Sequence, residues 1–183
     1  MSDSLNPPGS NIKLTRERLE HLRDQLRSRG QRQSIVTGPK TSADLIEAMQ
    51  IVEEYGPICE AMYLMMSADQ RVVNAEREVL KGALDVLSAG RIRTMHMEAM
   101  LDSAARKCAA EGRDVRLKKV IEQLRDDTAR AEVSVVLAAA VAAADARIVP
   151  EESAMLDAMF KGLGIDAKRA NELLENLDGK VST

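Results

Sequence analysis

Apolar residues recur along this chain at the three- and four-residue spacing of an amphipathic helix. Val79, Leu80, Ala83, Leu84 and Leu87 make one such stripe and predict a helix over about 74–88. Ile12, Thr15, Leu19, Leu22 and Leu26 occupy heptad a and d positions and predict a helix over about 12–29, ended by Gly30. Thr41 is placed to cap a helix running through "SADLIEAMQIVEEY", which Gly56-Pro57 should break or kink. A helix over about 57–67 follows, carrying Met62, Leu64, Met65 and Met66, and another spans about 92–110 between Gly90 and Gly112. From Val133 to Ala144 the chain is apolar on every face and half alanine, which predicts a buried helix too short to cross a bilayer.

The pattern repeats. "SADQRVVNAEREVLKGALDVL" begins at Ser67 and "AADARIVPEESAMLDAMFKGL" at Ala143, an offset of 76 residues. Asp69 maps to Asp145, Arg71 to Arg147, Glu76 to Glu152, and Leu80 and Leu84 to Leu156 and Phe160. Further on, Met97 maps to Leu173 and Leu101 to Leu177. This predicts an all-α fold of about eight helices, built from two similar four-helix halves covering about 43–101 and 119–177. Two such halves would bury their one-sided apolar faces against each other.

Composition sharpens the picture. Aromatic residues make up 2% of the chain, so the core must be filled by aliphatic side chains, alanine and ten methionines. Charge divides it: residues 1–40 hold eight Lys/Arg against four Asp/Glu, and residues 41–183 hold 18 against 25. The division predicts a disordered tail over 1–10, a basic helical arm and a linker, "QRQSIVTGPK", together spanning 1–40, followed by a helical body over 41–183. The arm is expected to be dispensable for folding. The polar N-terminus reads as no signal peptide, and Cys59 and Cys108 read as lone thiols in a reducing compartment, hence a cytoplasmic protein.

Ala68-Asp69-x-Arg71-Val72 with Glu76, its second copy Ala144-Asp145-x-Arg147-Ile148 with Pro150-Glu151-Glu152, and the later Leu163-Gly164-Ile165 resemble the twice-used element of the tellurite-resistance TerB family. The N-terminal domain of DjlA-type co-chaperones has a similar layout. The resemblance covers about 41–178 and implies an all-helical domain, an association with metal or envelope stress, and a cation or acidic cluster near the two loops. Where the family has glycine after the aspartate, this chain has Gln70 and Ala146.

Two readings of the acidic set stay open. Asp69, Glu76, Asp145 and Glu152 could supply four carboxylates to a hard divalent cation such as calcium or magnesium, which takes six or more oxygens. Equally, Glu76 and Glu152 stand in the first turn of a helix, where a carboxylate satisfies free amides, and each aspartate could pair with Arg71 or Arg147. His21 and His96 lack zinc-ligand spacing, and no nucleophile–base order, P-loop or glycine-rich nucleotide fingerprint occurs. Arg16, Arg18, Arg23, Arg27, Arg29 and Arg32 could track phosphates or an acidic membrane surface, in peripheral association, but Glu17, Glu20 and Asp24 interleave with them, so a solvated or partner-docking helix is favoured over nucleic-acid binding. The sequence thus predicts a non-catalytic helical module that assembles with other proteins, with a divalent-cation sensor as the alternative.

Overall fold

Seven helices follow one another in the computed structural model, which describes residues 16–32, 41–145 and 148–173. They are α1 (Arg16–Gly30), α2 (Ser42–Met66), α3 (Asn74–Leu87), α4 (Thr94–Glu111), α5 (Arg113–Arg125), α6 (Thr128–Ala142) and α7 (Pro150–Leu163). An eighth, α8, starts at 167 and continues through 173. The fold is all-α, with no strand among the described residues. The expected tail over 1–10, Ile12 and Thr15 of the heptad, the linker from 33 to 40, Ala146, Arg147 and Leu177 lie outside the described residues.

The stripe on α3 and its counterpart on α7 pack as their spacing predicts. Val79, Leu80, Ala83 and Leu84 are buried, and so are Met155, Leu156, Met159 and Phe160. Met62, Met65 and Met66 fill the core from α2. The apolar run lies in α6, which packs against α1, α2, α3, α5 and α7 and is buried on every side from Val135 to Ala142. Asp127 caps its start by accepting from the Arg130 amide at 3.1 Å.

The structure corrects the sequence reading in three places. First, Gly56-Pro57 does not end a helix: α2 runs unbroken for 25 residues with Pro57 inside it. A proline there removes one backbone bond and crowds the preceding turn, at about 3 kcal/mol. Burial of Ile51, Tyr55, Ile58 and Cys59 on either side offsets that cost. The first half therefore has three helices, α2 to α4, where four were expected. α3 and α7 correspond residue for residue at the 76-residue offset, but α2 faces the pair α5 and α6. The likeness is closest at the aspartate turn and the helix behind it, and it extends to the ends of α2 and α6, at Met66 and Ala142, and to the buried pair Met97 and Leu173.

Second, the arm is part of the core. Leu19, Leu22 and Leu26 have no exposed surface, and α1 lies along α3 and touches α6. The crossing is close because glycine stands on both helices. A Cβ on Gly82 would sit 1.8 Å from the Leu26 carbonyl oxygen, and one on Gly30 would sit 1.8 Å from that of Glu78. The arm's cations are engaged by neighbouring helices: Arg27 meets Glu78 at 2.9 Å, Arg29 meets Asp85 at 3.2 Å, and Arg23 donates to the Ala143 carbonyl at the end of α6. Acidic residues on α3 and the helix end beyond α6 are what the basic arm was patterned to meet.

Third, the body is pinned by a buried ion pair that periodicity does not reveal. Arg116 on α5 donates to both oxygens of Glu60 on α2, at 2.6 and 3.0 Å, with both side chains almost wholly buried. Lys107 on α4 reaches the same carboxylate at 3.4 Å, and Glu111 receives the remaining Arg116 nitrogen at 3.3 Å. On the far side Arg169 of α8 grips Glu132 of α6 in the same two-pronged way, at 2.6 and 2.8 Å.

Deleting residues 1–32 is expected to collapse the cooperative unfolding transition, because each of the three leucines contributes about 1.5–3 kcal/mol by burial. Gly82→Ala should lower the denaturation midpoint strongly while leaving helix content largely intact. A midpoint unchanged in both proteins would restore the independent arm. Arg116→Ala should cost about 3–5 kcal/mol by stranding Glu60, whereas replacing both partners with methionine should cost far less. Equal losses in the single and double variants, measured by chemical denaturation, would contradict this.

Candidate functional site

The two repeated turns bring their acidic residues into one electrostatic neighbourhood. In each, a helix ends and the chain turns back into the next helix, whose third residue is glutamate. The first helical residue's neighbour, Val73 or Val149, has no side chain able to cap the helix. The glutamate does half of that work: Glu76 accepts from the Val73 amide at 3.0 Å and Glu152 from the Val149 amide at 2.9 Å. His96 plays the same part at the start of α4, accepting from the Arg93 amide through Nδ1 at 3.2 Å. Burial, with help from the Arg93 charge, holds the His96 pKa below its ordinary value.

Both glutamates are buried, at 4% exposure each, while Asp69 is half-buried and Asp145 exposed. Burial pushes the Glu76 carboxyl up to about 7 and the Glu152 carboxyl up to about 8. Their amide bonds act in the opposite direction. The charges of Asp69 and Asp145 add to the upward push on both, and that of Glu76 adds to it on Glu152. Both glutamates thus sense the charges of the two aspartates.

Part of their acceptor capacity is already taken. One oxygen of each glutamate is committed to a backbone amide, and Asp69 Oδ1 accepts from the Arg71 amide at 2.8 Å. Among the described residues no group of three His, Cys, Asp or Glu side chains is arranged to hold a metal ion. Asp69 meets Arg71 through that backbone amide, as an Asx turn and not as the charge pair expected from the sequence. Asp145 also has an interaction partner, while Arg147 lies outside the described residues. The residue after the first aspartate is left-handed: Gln70 sits at φ 65°, at a cost of about 1–2 kcal/mol for a side chain in that region.

A second feature went unread in the sequence. The first turns of α2 project from the body, leaving Leu45, Ile46 and Met49 exposed at 53, 58 and 65%. Thr41 and Asp44 hold this projection in helical form by reciprocal capping bonds of 3.1 and 3.0 Å. Beside it runs an open groove of about 410 Å³ between α2 and α4, lined by Ala48, Met49, Val52, Met95, His96 and Ala99. Arg91 closes one end of the neighbouring turn, donating to Tyr55 Oη at 2.9 Å and lying 3.7 Å from Glu54. The spacing of Leu45, Met49 and Val52 was legible as an apolar stripe, but nothing in it says that no other helix covers it.

The two cysteines are free. Cys59 is buried, and its thiol is pushed up to about 12 by burial and the adjacent Glu60 charge, which leaves it unreactive. No helix among the described residues is long and apolar enough to cross a membrane. Comparison of the chain with family models, with curated proteins and with solved structures gives no match.

The raised carboxyls set a pH dependence. An unfolded glutamate releases its proton near 4.5, whereas these two hold theirs to about 7 and 8 in the folded chain. The folded state therefore binds more protons in that window. Stability is greatest toward its acidic end and is lost as the pH rises through 7 and 8. Glu78, Glu111 and Glu132, whose pKa values are lowered by arginine and lysine partners, act only below the ordinary carboxylate range. His96, whose lowered pKa acts in the opposite sense, offsets part of this, and stability measured by urea denaturation should still be higher at about pH 5.5 than at about pH 8.5, on the order of 2–4 kcal/mol. Glu152→Gln should flatten the difference, and a flat wild-type profile would refute the assignment.

Proposed function

We propose that this protein is a non-catalytic helical interaction module that engages another protein through the projecting face of α2. The observation that carries this reading is the exposure of Leu45, Ile46 and Met49 on one capped helix end, where most other large apolar side chains among the described residues are buried. Contiguous exposed apolar surface costs solubility and is a mark of an interaction site. The TerB resemblance, carried by residues 68–76 and 144–152, supports a place among proteins that assemble in metal or envelope stress.

Met49→Glu should leave the melting temperature nearly unchanged, since exposed positions tolerate substitution within about 0.5 kcal/mol. The same change should remove the partner recovered by affinity capture with wild-type protein. Retention of every captured partner by Met49→Glu would overturn the reading.

A divalent-cation sensor draws its support from the mutual repulsion of Asp69, Glu76, Asp145 and Glu152. Their committed oxygens weigh against it. Calcium or magnesium at about 100 times its dissociation constant would stabilise a binding protein by about 2.7 kcal/mol. The expected outcome is no melting shift with either ion. A saturable rise abolished by Asp145→Ala would favour the sensor.

A further inference from the structure

We infer that the groove between α2 and α4 receives a basic amphipathic α-helix of a partner protein, an inference that rests on the interaction-module reading above. The walls decide the form of the occupant. Apart from their first turns and the one carbonyl that Pro57 leaves without an amide, both are helices that bond their backbone internally, so they offer an extended peptide no ladder to join. A helix brings its own backbone bonds and needs only an apolar stripe to seat. The groove supplies the matching surface: Leu45, Met49 and Val52 recur at four- and three-residue steps along α2, and Met95 and Ala99 face them from α4.

Charge decides the chemistry of its flanks. Asp44 and Glu47 stand at one end of the α2 wall and Glu53 at the other. On the basic side are Arg93, at the mouth with Asp44 and Glu47, and Arg91, which is held by Glu54 and Tyr55. His96 is held toward its neutral form. The rim is therefore net acidic, and lysine or arginine flanking the occupant's apolar stripe would be attracted to it. The same rim disfavours a second copy docking through this face, which would set Asp44, Glu47 and Glu53 against themselves. It also disfavours an anionic membrane surface.

Labelled designed peptides of about 18 residues, helical by circular dichroism, supply the test against the full chain. One carries a leucine stripe flanked by lysine and arginine. A second keeps the stripe with glutamate flanks. In fluorescence anisotropy the basic peptide should bind at least about tenfold more tightly than the acidic one. Met49→Gln, an exposed position checked for an unchanged melting temperature, should weaken it about tenfold or more. Raising salt from about 50 to about 500 mM should weaken it further. Glu47→Lys with Glu53→Lys should reverse the preference between peptides.

Equal or tighter binding of the acidic peptide, lost in Met49→Gln, would overturn the basic occupant while leaving the interaction module standing. Failure of both peptides with a Met49-dependent dimer in sedimentation would make a second copy the occupant. Failure of both with Met49-dependent binding to vesicles of phosphatidylglycerol and phosphatidylcholine would make it a membrane. Failure of all of these would remove the α2 face as a docking surface and the interaction-module reading with it.

Discussion

A helix enclosed on all sides can have so many neighbours only if its own side chains are small. α6 meets that condition with alanine at 138, 139, 140 and 142 and valine at 135, 136 and 141, all almost wholly buried. With so few aromatic rings to fill gaps, the chain relies on close approach between backbones for packing density. The same constraint recurs where α1 meets α3, with glycine at 30 and 82 allowing each backbone to touch the other. The paired ions Glu60–Arg116 and Glu132–Arg169 then fix α5 and α8 against the apolar interior without drawing on aromatic rings.

The parts legible in sequence were those whose information is local. The stripes of α3 and α7 are one-sided, begin with a glutamate that serves the helix start, and end beside glycine or serine, so type and bounds could be read together. α6 declared itself by being apolar all round. Pro57 misled because its penalty is local while the burial that overrides it comes from distant helices. The arm misled because Leu19, Leu22 and Leu26 are narrow among many charges, and the acids that answer those charges, Glu78 and Asp85, lie some fifty residues on. The Glu60–Arg116 pair had no periodic signal, since its partners are 56 residues apart.

The candidate site divides along the same line. The repeated Asp and Glu positions were visible, and so was their service to the helix starts. What sequence could not supply was burial, which turns two ordinary carboxyls into groups that hold protons near neutrality. Nor could it supply the groove on α2 and α4: an apolar stripe looks the same whether a neighbour covers it or leaves it bare.

The α1–α3 crossing also has a temporal consequence. α1 is made before α3, and the surface that α3 offers its leucines is complete only when Leu87 has left the ribosome, with the contact from α6 coming later still. At about 5–20 residues per second this leaves a nascent chain with an uncovered leucine seam for several seconds. Helix formation alone cannot hide that seam, because a lone fifteen-residue helix is marginal in water. The dense alternation of arginine, glutamate and aspartate around the three leucines then serves the unfinished chain as well as the folded one, keeping the seam hydrated until its partner arrives.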